Sequence, residues 1–67
     1  MIQSIIFPKS KFSLLESIDW LMTNGYKTLK VHETEDYWRF RQAAPLTGGR
    51  YRTKTLDNGV ELILHYK

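Results

Sequence analysis

The stretch Arg50-Tyr51-Arg52-Thr53-Lys54-Thr55-Leu56-Asp57-Asn58-Gly59-Val60-Glu61-Leu62-Ile63-Leu64-His65-Tyr66 decides the fold. Two runs of strand-forming residues flank Asp57-Asn58-Gly59, and a glycine-containing turn between such runs predicts a β-hairpin. The run from Arg50 carries a cation at every second position. In a strand, successive side chains point to opposite faces, so Arg50, Arg52 and Lys54 share one face.

The same alternation recurs upstream. Tyr37 to Gln42 places Arg39 and Arg41 between Trp38 and Phe40, and Lys27 to His32 sets Leu29 and Val31 against Lys30 and His32. Glu33-Thr34-Glu35-Asp36 is polar and connects the two runs as a second hairpin. The segment from Ala43 to Gly49 holds Pro45 and Gly48-Gly49 and reads as a loop. Near the start, Ile2 to Phe7 is β-branched and apolar up to Pro8, which predicts a first strand. Ser13-Leu14-Leu15-Glu16 then matches a capping box. Leu14, Leu15, Ile18, Leu21 and Met22 follow helical spacing until Asn24-Gly25, which predicts a helix over residues 14–24.

The element order is β-α-β-β-β-β. A helix with one apolar stripe must bury it, and one face of the sheet is the only surface that can receive it. The expected architecture is α+β: a two-layer sandwich of one helix on a mainly antiparallel sheet of four to five strands, forming a single domain over residues 1–67. On this reading Leu29, Val31, Trp38, Phe40, Val60, Leu62, Leu64 and Tyr66 line the helix side. Lys30, His32, Tyr37, Arg39, Arg41, Arg50, Arg52, Lys54, Ile63 and His65 lie on the open side, with Glu61 the one acid among them. The two cationic strands are thus expected to merge into one positive surface.

Composition narrows the function classes. A chain of 67 residues buries only roughly 60% of its unfolded surface. It has no cysteine for a disulfide or a thiolate zinc site, so its stability rests on a core to which its 13% aromatic residues contribute. The first seven residues are too short and interrupted to span a membrane and lack signal-peptide features, so a soluble, cytoplasmic protein is expected. Net charge is +3, with a pI near 9.4.

The residues that carry a functional expectation are the cations. Arginines two apart on a strand sit roughly 6.6 Å from each other, and neighbouring strands add cations about 4.8 Å sideways. Lys30, Arg39, Arg41, Arg50, Arg52 and Lys54 on such a grid would neutralise backbone phosphates of DNA or RNA, with Tyr37 stacking on an unpaired base. The competing reading is a solvated face whose Lys and Arg provide solubility and edge protection. A second expectation concerns a host or viral protein as partner. Trp20, placed opposite the apolar stripe of the helix, and Leu46, at the tip of the Ala43–Gly49 loop, would be its contacts. Packing of Trp20 under the first strand is the alternative. Sheet edges also leave room for a homo-oligomer.

Catalysis is not expected. His32, Glu33, Glu35 and Asp36 match no metal-ligand spacing, and His65 has no nucleophile or carboxylate dyad to work with. Gly48-Gly49 lacks the Lys-Ser/Thr and helix of a phosphate-cradling loop, so no cofactor is implied.

Several segments together carry a resemblance: Trp20-Leu21, Asn24-Gly25-Tyr26-Lys27, Lys30-Val31, Glu33-Thr34-Glu35, Arg39-Phe40-Arg41-Gln42-Ala43-Ala44-Pro45 and Asn58-Gly59-Val60. The chain resembles, over about residues 5–66, a small uncharacterised protein family found in bacteriophages and large DNA viruses. Arg39-Phe40-Arg41-Gln42 is the most distinctive segment, and His32 departs from the acidic residue expected there. The resemblance implies a viral or mobile-element source and carries over no activity and no site residue.

Overall fold

The computed structural model describes residues 1–44 and 48–66. Strand β1 (Ile2–Pro8) is the centre of a five-stranded sheet, flanked by β3 (Tyr37–Arg41) and β5 (Glu61–Tyr66). Strands β2 (Val31–Glu33) and β4 (Arg50–Thr55) form the two edges, giving the order β2-β3-β1-β5-β4. The strand richest in β-branched apolar residues therefore occupies the middle of the sheet. Every hydrogen-bonded pair is antiparallel. Since β3 runs against both β1 and β2, those two are parallel to each other, and a parallel pair needs a crossover connection. The single helix α1 (Leu14–Thr23) lies within that connection.

The helix begins and ends as its sequence predicts. Glu16 N–H donates to Ser13 Oγ at 3.1 Å, and Ser13 N–H donates to Glu16 Oε1 at 3.0 Å, closing the capping box. These bonds hold the exposed Glu16 carboxyl below its ordinary pKa, the Ser13 backbone bond contributing most. At the other end Gly25 adopts φ +78°, and Tyr26 N–H donates to Leu21 O at 2.8 Å. Ser17 and Leu21 are buried, and Leu14 and Ile18 pack beside them. Leu15 and Met22, expected in the same stripe, are exposed. At 100° per residue they sit about a quarter-turn from the buried face, and so short a helix presses only one narrow stripe on the sheet.

Ile5, Phe7, Leu21, Phe40 and Val60 form a fully buried core. Phe7 organises it, meeting Phe12, Trp20 and Phe40 edge-to-face with centroids 5.3, 5.6 and 5.6 Å away. Each such side chain stabilises the fold by roughly 1.5–3 kcal/mol on area grounds.

Register assigns every strand residue to a face, because directly paired residues point the same way. One row runs Val31–Phe40–Ile5–Leu62–Lys54 across all five strands on the helix side. The adjacent row, His32–Arg39–Ile6–Glu61–Thr55, lies on the open side. The expectation that Arg50, Arg52 and Lys54 share the open face is therefore corrected. They pair with Tyr66, Leu64 and Leu62, and so point to the helix side. The physical reason is the turn. Gly59 N–H donates to Leu56 O at 2.9 Å, Leu56 N–H donates to Val60 O at 2.8 Å, and Gly59 has φ +93°. This is a three-residue connection over Asp57-Asn58-Gly59, which pairs even-numbered with even-numbered residues. A two-residue turn would have reversed the faces.

The second edge also departs from expectation. β2 spans three residues rather than the predicted Lys27–His32, and Leu29 is 90% exposed outside any strand. Val31 is on the helix-side row but still exposed, since an edge strand lies beyond the reach of one helix.

Candidate nucleic-acid interface

β3 holds its arginines on a strand whose intervening residue is core. Phe40 is buried against Ile5 and Phe7, so Arg39 and Arg41 must project from the opposite face. Cross-strand pairing sets His32 beside Arg39. Arg41 N–H donates to Lys30 O at 3.1 Å, which carries the pairing one residue past β2 and sets Lys30 beside Arg41. Gln42 holds this extension in place. Its side chain accepts from Lys27 N–H at 2.8 Å and donates to Lys27 O at 2.9 Å, taking the place of a further pair of strand residues.

The result is a basic groove. A hollow of about 430 Å³ is lined by Gln3, Lys30, Val31, His32, Arg39 and Arg41. A neighbouring one of about 400 Å³ shares Lys30 and Arg41 and adds Lys27, Leu29, Gln42, Ala43 and Ala44. No acid lines either hollow, and among the described residues the side chains of Lys30, His32, Arg39 and Arg41 make no ion pair. Glu33, the nearest acid along β2, pairs with Trp38 on the helix side and bridges to Lys9 instead. Tyr37 is 41% exposed and pairs with Pro8, on the same face as Arg39 and at the end of β3 beside the acidic Glu35-Asp36 turn.

Gln3 was missed by the sequence reading. The pairing of β1 with β5 shifts between Ile2 and Ser4, which makes Gln3 the extra residue of a bulge. Its side chain accepts from Ser4 Oγ at 2.6 Å and donates to Ala43 O at 3.1 Å. It thus ties the floor of the groove to the segment leaving β3. The signal was present as two consecutive polar residues interrupting an apolar strand, a common mark of a bulge.

The open face is also less open than expected. The chain between β3 and β4 must pass β1 and β5. Gln42 and Ala43 donate to Gln3 O, and Gly48 O lies 2.8 Å from His65 Nε2. Gln3, Ser4 and His65 are consequently buried. His65, read from sequence as a surface residue, is 3% exposed and lies 4.7 Å from the Tyr51 ring. Gly49, at φ +81°, has room for no side chain, because a Cβ there would clash with Tyr66 O.

The remaining candidates fall elsewhere. Arg50, Arg52 and Lys54 are on the far face at the opposite edge, with β1 and β5 between them and β3. Trp20 is half-buried, packed edge-to-face on Phe7 and stacked 5.9 Å from Tyr26, so it serves the core rather than standing free as a docking anchor. Leu46 lies outside the described residues. Among the described residues no three His, Asp or Glu side chains gather closely enough to hold a metal ion, and no helix is long and apolar enough to cross a membrane. Comparison with protein-family models, curated proteins and solved structures yields no match.

Proposed function

We propose that this chain is a small accessory protein of viral or phage origin that binds nucleic acid, largely without sequence preference, inside the host cytoplasm. The observation that carries this reading is the groove of Lys30, His32, Arg39 and Arg41. These side chains share one face, no acid lines the groove, and they make no ion pairs among the described residues. Unpaired cations held side by side neutralise consecutive phosphates, and the release of counterions drives association. Tyr37 offers a ring at the end of the row for an unstacked base, which favours single strands over duplex. The viral origin rests on the resemblance carried by the Arg39-Phe40-Arg41-Gln42 segment and its neighbours.

Fluorescence anisotropy with labelled single- and double-stranded oligonucleotides tests this reading. For about three neutralised phosphates, affinity for a single strand falls roughly 10–20-fold between ~50 and ~200 mM salt. Absence of binding at the lower salt, or binding indifferent to salt, would falsify it.

A further inference from the structure

We propose that the outer edge of β4 at Thr53 and Thr55 is a docking site for an extended, acidic peptide segment of another protein, added to the sheet as a sixth strand. The sheet ends at β4, and all six of its residues are exposed. Leu56 N–H bonds to Val60 O, so the alternation of an antiparallel ladder turns the backbone groups of even-numbered β4 residues toward β5. Those of Thr53 and Thr55 point outward, toward an incoming strand. A segment bonded to Thr53 and Thr55 would face Arg52 and Lys54 across non-hydrogen-bonded pairs, where opposing side chains approach most closely.

Charge selects the occupant. Arg50, Arg52 and Lys54 all point to the helix side, and their side chains make no ion pair or hydrogen bond among the described residues. Their cross-strand partners Tyr66, Leu64 and Leu62 supply no acid, and the nearest strand acid, Glu61, is on the other face. A second copy of β4 would bring arginine and lysine opposite arginine and lysine, which is repulsive. The device that protects the edge against self-pairing thus favours a strand with carboxylates at alternate positions. Arg50 and Arg52 also border, with Gly49 and Tyr66, a hollow that the acidic side chain opposite Arg50 would enter.

Three synthetic peptides of alternating threonine and glutamate, one unmodified and two methylated on different backbone nitrogens, with a fourth whose glutamates form one block, test the proposal by fluorescence anisotropy with the full chain. The unmodified peptide is expected to bind, and Arg52→Glu with Lys54→Glu to weaken it at least tenfold. Methylating the threonine nitrogens, which donate to Thr53 and Thr55, abolishes binding; methylating the glutamate nitrogens leaves it within about threefold. Equal loss from both methylations, or equal binding of a peptide with its glutamates in one block, identifies plain charge attraction and overturns the proposal. So does a fall in oligonucleotide affinity for the β4 double variant as large as that for Arg39→Glu with Arg41→Glu, since the strand would then belong to the nucleic-acid surface. Failure of oligonucleotide binding alone leaves the peptide result standing.

Discussion

β3 and β4 carry the same motif, basic residues alternating with others, yet the sheet uses them in opposite ways. Behind Arg39 and Arg41 the strand is anchored by Phe40 in the core, and neighbours pair with it on both sides. Behind Arg50, Arg52 and Lys54 stand Tyr51, Thr53 and Thr55 on an edge strand with no residue buried. The first set is held on a backbone fixed by packing, which suits presentation of a preformed row of charges. The second is on an edge strand whose Thr53 and Thr55 turn their backbone groups outward, which suits addition of a partner strand. An alternating cation pattern therefore has no single meaning; what stands behind it and beside it decides its use.

The largest effect that separates the two strands is on stability. Phe40→Ala should cost about 3–5 kcal/mol in denaturant unfolding, as buried aromatics do, whereas Thr53→Ala on β4 should stay within about 0.5 kcal/mol. Similar losses at both sites would show that β4 is as firmly packed as β3.

Binding comes next. Arg39→Glu with Arg41→Glu should lower affinity for a single-stranded oligonucleotide roughly 100-fold at low salt, and Arg52→Glu with Lys54→Glu by no more than about threefold. A comparable loss from the second pair would mean that the ligand wraps both faces.

A control away from both strands should leave binding intact. Ser13→Ala removes the helix cap and should cost about 1 kcal/mol of stability without altering oligonucleotide affinity. The Glu16 carboxyl is held below its ordinary pKa when folded, so its contribution is present above the unfolded value and fades as pH falls through the folded one. Glu16→Gln should flatten that part of the acid limb in a pH series of melting curves.

The smallest effect concerns Glu61, in the same cross-strand row as Arg39 but separated from it by Ile6. Glu61→Gln should raise oligonucleotide affinity only about twofold to threefold, because a partly exposed charge at that range is largely screened. A larger gain would extend the interface across the middle of the open face.

The α+β architecture, the capping box and both hairpins were legible, because each is written in local spacing: Ser13 three before Glu16, and a polar stretch or Gly59 between two strand runs. The faces of β3 and β5 followed from their apolar residues. The face of β4 did not, because its alternate residues are threonine, tyrosine and cations, none of which demands burial. Its register was set by one residue of turn length at Asp57-Asn58-Gly59. Trp20, left open between a free anchor and packing under the first strand, takes the second place, and His65 was misplaced, for a related reason. Their surroundings are made by Tyr26, Phe7 and Gly48, which spacing within a single element does not reveal. Arg39 and Arg41 lie on the open face as expected, because both neighbours, Trp38 and Phe40, had to face inward.

The most direct test of the account is an amide chemical-shift map of the labelled protein during titration with a short single-stranded oligonucleotide. The largest shifts are expected at Lys30, His32, Tyr37, Arg39 and Arg41, with Arg52, Thr53 and Lys54 unmoved. Shifts centred on β4, or no shifts at low salt, would contradict it.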